Sequence, residues 1–161
     1  MSTPTTNIER APGTDQIAEL DAWVGLLRAH AAATRQFNRE LIASHGLTIN
    51  DFEVLMHLDH ADGGRLRRVD LAERVLLTAS GITRLLDGLE RSELVCKASC
   101  AADARVTYAE ITAAGRARLA CARVSHIEGV RALFAERYSA DELAALTGLL
   151  GRLPQAPACP G

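Results

Sequence analysis

Aromatic side chains make up only 4% of the 161 residues, and no run of 18 apolar residues occurs, so no segment has the length to cross a bilayer as an apolar helix. The polar stretch from Met1 to Pro12 lacks the apolar h-region of a secretory leader. These two absences predict a cytoplasmic protein without a membrane partner. In that compartment the four cysteines, Cys96, Cys100, Cys121 and Cys159, are expected as thiols rather than as a disulfide framework. Signatures of catalysis are missing too. There is no nucleophile elbow and no pair of acids in an apolar frame, and Asp62-Gly63-Gly64 is a turn, because no strand precedes it to make a phosphate cradle. His57 and His60 could share a helix face, yet neither Cys-x-x-Cys nor His-Glu-x-x-His spacing supports a metal site. The chain is therefore expected to be no enzyme and to carry no cofactor. Formal charge is close to balance at -2, which argues against indiscriminate nucleic-acid binding over the whole surface, since counterion release needs a local density of cations.

What is present is helix. One domain's worth of chain starts, near Thr14 or Asp15, with Ile17, Leu20, Val24, Leu27, Ala31, Thr34, Leu41 and Ile42 in steps of three and four, a long amphipathic pattern. Gly46 is placed as a left-handed cap, and Thr48-Ile49-Asn50-Asp51 resembles a capping box with aspartate in the glutamate position. Phe52, Leu55, Met56 and Leu58 continue a helix up to Gly63-Gly64. Beyond Gly115, the series Leu119, Ala122, Ile127, Val130, Leu133 and Phe134 predicts a helix to about Tyr138. Ser139-Ala140-Asp141-Glu142 then caps a last helix that ends before Pro154. The two ends, 1-14 and 154-161, are rich in Thr, Pro, Ala and Gly and are expected to be disordered.

The informative stretch lies between, from Leu66 to Gly115. Arg67 to Leu76 reads as a short helix with Val69, Leu71, Ala72 and Val75 available to a core, and Thr78 caps a second in which Ile82, Leu85, Leu86 and Leu89 recur at helical spacing. Leu94 to Cys100 and Val106 to Ile111, joined by a turn-prone segment, read as a two-stranded ribbon. That order predicts a winged helix-turn-helix. Thr78, Ser80, Gly81, Thr83 and Arg84 fall in the first turns of the second helix, where such a motif meets the major groove. Arg84 could reach a guanine edge or a phosphate, or pair internally with Asp87 or Glu90. Arg67, Arg68, Arg91 and Lys97 could neutralise phosphates.

The chain here resembles the MarR (multiple antibiotic resistance regulator) family of bacterial transcription factors. The resemblance rests on Leu71-Ala72, Ser80 to Asp87, Leu89-Glu90, Leu94-Val95, Asp103-Ala104-Arg105 and Thr112 to Gly115 in that order, and it extends over roughly residues 15 to 153. It implies one domain, mainly α with a small β-wing, whose DNA-binding lobe spans about 48-112 and whose dimerisation helices span about 15-45 and 113-153. In such a homodimer two recognition helices about 34 Å apart face a pseudo-palindromic duplex, and the protein represses by blocking polymerase. Arg105 would enter the minor groove with Asp103 holding its guanidinium. Gly88 departs from the pattern, which usually has arginine there.

The resemblance also implies release from DNA by a small aromatic or phenolic effector, with Trp23, His30, Phe37, Phe52 and His57 as candidate lining. Two other readings stay open. Oxidation of Cys96 or Cys100 in the wing could disturb Lys97 and Arg105, although residues four apart on one strand are too distant for an unstrained bridge. A helical protein-interaction module would use the same apolar faces without binding DNA.

Overall fold

Four hydroxyl side chains fix where helices begin. In the computed structural model, which describes residues 14-99 and 107-154, Thr48 Oγ1 accepts from the Asp51 N–H at 3.1 Å, Thr78 Oγ1 from Gly81 at 3.1 Å, Thr112 Oγ1 from Gly115 at 2.9 Å and Ser139 Oγ from Glu142 at 3.4 Å. Each satisfies one of the N–H groups that a first helical turn leaves unpaired. Thr48 and Ser139 complete reciprocal capping boxes with Asp51 and Glu142, as their sequence predicts. The order is α1 (Thr14–His45), α2 (Ile49–Asp59), β1 (Arg65–Arg67), α3 (Arg68–Arg74), α4 (Ala79–Arg91), β2 (Val95–Ser99), β3 (Thr107–Ile111), α5 (Ala113–Ala135) and α6 (Ala140–Leu150), with a 3-10 turn at Asp62–Gly64. No helix among the described residues is long and apolar enough to cross a membrane.

The chain divides into two compact units, Met1–Gln36 and Phe37–Gly161. In the first, the described part of α1 carries an exposed stripe of Ile17, Leu20, Trp23, Val24 and Leu27. The second holds the core. Leu55, Leu58 and Val54 of α2 are inaccessible and cluster with Leu71 of α3, Ile82, Leu86 and Leu89 of α4, Val95 of β2, Ile111 of β3 and Leu119 and Ala122 of α5. Gly115 explains how α5 joins this core: a Cβ there would stand 2.1 Å from the Leu94 carbonyl oxygen, so only glycine lets the first turn of α5 lie on the start of β2. Thr112 Oγ1 donates to the Glu93 carbonyl at 2.8 Å on the same seam.

Two expectations are corrected. The ribbon is a three-stranded antiparallel sheet in the order β1-β3-β2, with Arg65 opposite Glu110, Arg67 opposite Tyr108 and Val95 opposite Ile111. Arg65, Leu66 and Arg67 supply the edge strand; three residues flanked by charge give no alternating run of their own, and their partner strand lies far along the chain. Val69 is exposed rather than in the core. It sits about 200° around the helix from Leu71, and with α3 starting at Arg68 the inward face belongs to Leu71 and Val75.

Candidate nucleic-acid interface

Helix α4 has two unlike faces. Ile82, Leu86 and Leu89, spaced four and three apart, are buried against the core, while Ser80, Arg84, Asp87 and Arg91 are exposed. Its strongly amphipathic sequence therefore fixes which side is presented. Before it, the turn after α3 passes through Leu76, which adopts φ +54° and is 82% exposed. A left-handed backbone is costly for a branched apolar side chain, yet it reverses the chain in the few residues between α3 and α4.

The hydroxyls at the start of α4 are partly engaged in the helix itself. Thr78 Oγ1 caps Gly81 and lies 3.2 Å from Ser80 Oγ, and Thr83 Oγ1 donates to the Ala79 carbonyl at 2.7 Å. Gly81 is half-buried beneath the cap. Ser80 and Arg84 are thus the outward polar groups of the first turns, and Arg84 has no ion-pair partner among the described residues. The internal pairing with Asp87 or Glu90 that sequence left open for Arg84 is made instead by Lys97 of β2, whose Nζ lies 2.8 Å from Glu90 and 3.6 Å from Asp87. The Glu90 hydrogen bond, then its charge, raises the Lys97 pKa. This lysine bridges β2 to α4.

On the other side, Arg67 grips Asp70 through two bonds, Nε to Oδ2 at 2.8 Å and Nη2 to Oδ1 at 2.9 Å, and the Asp70 hydrogen bond raises the Arg67 pKa. Arg68 is exposed at the first position of α3, and Arg65 stacks over the Tyr108 ring at 5.4 Å. Arg65, Arg67, Arg68 and Arg84 therefore lie on the winged lobe with α3, α4 and the sheet as their supports. Asp103, Arg105 and Cys100 lie outside the described residues, as do the end segments 1-13 and 155-161 with Cys159. Cys96 is an exposed thiol on β2.

The effector candidates separate. Trp23 and His30 are exposed on the first unit's part of α1. Phe37 and Phe52 meet in the second unit, where each ring centroid lies 5.0 Å from that of His126 on α5. His57 is on the α2 face turned about 140° from Phe52; burial, then the charges of Arg74 and His60, lowers its pKa. His126 escaped sequence reasoning because only the fold brings it to the two rings. Its pKa is lowered by burial, partly offset by Glu40, and its buried Nδ1 has no hydrogen-bond partner. A neighbouring cleft lined by Phe37, Glu40, Ser44, His45, Ser125 and His126 has a volume of about 30 Å³, a small fraction of the roughly 300 Å³ at which small-molecule sites begin. Asp59, also unanticipated, holds Arg116 and, at 3.6 Å, Arg123, tying the end of α2 to α5.

A helix pair joined by a tight turn and backed by a three-stranded antiparallel sheet defines a winged helix. The model of the MarR family matches residues 45–106. The HTH-type transcriptional repressor YetL of Bacillus subtilis (strain 168) is 36% identical over 111 residues, 69% of this chain and 66% of that protein, so the match spans just under two thirds of the relative's length. Among solved structures, AbsC of Streptomyces coelicolor, a MarR family transcriptional regulator, superposes with a TM-score of 0.74 at 28% identity, over 88% of this chain and 93% of that one. Sco3205 from the same organism, solved in complex with DNA, shares the fold with a TM-score of 0.76 at 23% identity, over 96% and 98%. The chain belongs to the MarR family.

Proposed function

We propose that this protein is a DNA-binding transcriptional regulator that acts as a homodimer, occupies a pseudo-palindromic operator as a repressor, and is released by a small aromatic or phenolic effector. The observation that carries the reading is α4 itself. One face is clamped into the core by Ile82, Leu86 and Leu89, and the other offers Ser80 and an Arg84 without an ion-pair partner among the described residues, beyond a hydroxyl-capped first turn. A helix so held can enter a major groove, where each base pair displays its own donors, acceptors and methyl groups. Arg67, Arg68, Lys97 and, beyond the described residues, Arg105 with Asp103 are assigned to the flanking backbone and minor groove. The repressor YetL and the DNA complex of Sco3205 support this assignment by likeness.

Dimerisation follows from apolar surface that the monomer leaves open. Leu149, Leu150 and Leu153 at the end of the chain, and Val124 and Ile127 on α5, remain exposed, as does the stripe on the first part of α1. An effector would have to part Phe37 and Phe52 from His126 to stack on them and reach its buried Nδ1, whose lack of a partner favours a polar ligand atom there.

Binding of the purified protein to its own upstream intergenic DNA, titrated with salt against a scrambled duplex of equal length, tests the reading. Preference for the upstream duplex with a steep salt slope is expected. Equal, feeble affinity for both duplexes, followed by failure of a random-sequence selection, would overturn it. Arg84→Ala should weaken operator binding by about 1 to 3 kcal/mol, relaxing preference at one base pair if it reads a base and weakening all sequences alike if it holds a phosphate.

A further inference from the structure

Helix α4 is electrically neutral by itself. Its outward stripe alternates in sign, with Asp87 between Arg84 and Arg91, and Glu90 lies at the edge of that stripe on the side of the sheet. Over Ala79–Arg91 two arginines and two carboxylates cancel. A duplex carries one negative charge about every 1.7 Å of its axis. Bare carboxylates on a helix laid in a groove would therefore be repelled by the phosphates of both walls.

One side chain from outside the helix changes that balance. Lys97 stands opposite Ala109 of β3, which is buried, so both side chains lie on the face of the sheet turned towards the core and α4. Its stem lines a narrow crevice with Leu86 and Ala109. Its Nζ, 2.8 Å from Glu90 and 3.6 Å from Asp87, serves both carboxylates of the helix. Lys97 is the one lysine among the 18 Lys and Arg residues of the chain, and the residue type suits the task. An ammonium is a compact charge with three rotatable donors, whereas guanidinium donors are fixed in one plane. The lysine side chain is 58% exposed, and so open an ion pair adds little to folding. Its consequence falls on what α4 presents to a ligand.

We propose that Lys97 is a positioning residue for DNA recognition: it neutralises Asp87 and Glu90, so that α4 meets the duplex with Arg84 and Arg91 uncompensated. The inference rests on the DNA-binding reading above and deepens it, giving Lys97 a role beyond the backbone contact assigned there. The lysine then matters because the two carboxylates are present, and its loss is repaired by removing their charge.

The test is a double-mutant cycle on equilibrium binding by the full-length protein, at low and at high salt. The ligand is its upstream intergenic duplex or, failing that, the duplex recovered by random-sequence selection. Lys97→Met should weaken binding about tenfold at low salt, as two carboxylates are laid bare beside phosphates, and the loss should shrink as salt screens them. Asp87→Asn with Glu90→Gln should then raise affinity about tenfold where Lys97 is absent, but less than about twofold where it is present. Equal gains in the two backgrounds, the result of a direct phosphate contact or of independent charges, would overturn the proposal. So would a loss on Asp87→Asn with Glu90→Gln as large as that of Lys97→Met, which marks a mechanical tether between β2 and α4. Urea midpoints of the four proteins should coincide, and a Lys97→Met loss that tracks a lowered midpoint would also overturn it. Absence of any duplex preference in the unsubstituted protein would overturn the DNA-binding reading itself, and this proposal with it.

Discussion

Residues 48-112 and the outer helical surface of the same unit both draw heavily on leucine and alanine, yet they use them oppositely. In the lobe, Val54, Leu55, Leu58 and Leu71 are completely buried and the helices exist as packed faces. Along α6 no residue is buried, and Leu149 is 56% exposed although its helix is well capped by Ser139 and Glu142. Capping and amphipathic spacing specify a helix; they do not specify what its apolar side will meet. The lobe completes itself within one chain, whereas the outer faces stay exposed.

The largest test concerns the seam between these regions. Gly115→Ala would force the first turn of α5 away from the Leu94 carbonyl, since the added carbon has no room. Overpacking against backbone, which cannot rotate aside, should cost about 3 kcal/mol. Urea unfolding should show this as a lowered midpoint. An unchanged midpoint would mean that α5 is not seated on the lobe as described.

The contrast itself is measured by paired truncations. Leu58→Ala, in the core, should cost about 2 to 5 kcal/mol at any protein concentration. Leu149→Ala should cost a few tenths of a kcal/mol in the monomer, but more, and in a concentration-dependent way, if α6 is covered by a second copy. Equal, concentration-independent losses at both sites would erase the distinction between self-sufficient lobe and unfinished surface.

These differences mark what sequence conveys. Local signals were readable: the hydroxyl caps at Thr48, Thr78 and Ser139, the break at Gly46 and the period of α4 depend on neighbours three or four residues away, while the Thr112 cap of α5 was not anticipated. What was not readable depends on distant partners. β1 is a strand only because β3 lies beside it, and Val69 is outside the core because the lobe packs against the opposite face of α3, the one that carries Leu71 and Val75. Lys97 looks like a free cation until folding brings Glu90 and Asp87 to it, and His126 is one histidine among five until Phe37 and Phe52 close around it.

Leu76 is a smaller irregularity inside the otherwise finished lobe. Its side chain is 82% exposed at φ +54°, so it contributes little packing in return for a strained backbone. Leu76→Gly removes the strain but gives the unfolded chain more freedom, and the balance should stabilise the protein by about 1 kcal/mol or less. A loss of stability would mean that the leucine is covered in the protein's working state, and concentration dependence of that loss would extend the unfinished surface to the turn before α4.

The smallest expected effect lies at His126, where α5 passes from the lobe to the outer surface. Burial holds its pKa below 6.5, with Glu40 opposing, and His57 is lowered by burial and by the Arg74 and His60 charges. In both cases the folded protein binds a proton less readily than the unfolded chain, so the neutral form is the one compatible with folding. Stability should therefore be full above about pH 7, decline as pH falls through 6.5, and level off below the folded-state pKa values. His126→Gln should remove only its share of that slope, leaving the part due to His57, and urea midpoints across the range would separate them. If the slope survives undiminished, His126 titrates as an ordinary surface histidine, and the aromatic cluster is wetter than its 5.0 Å ring spacings indicate.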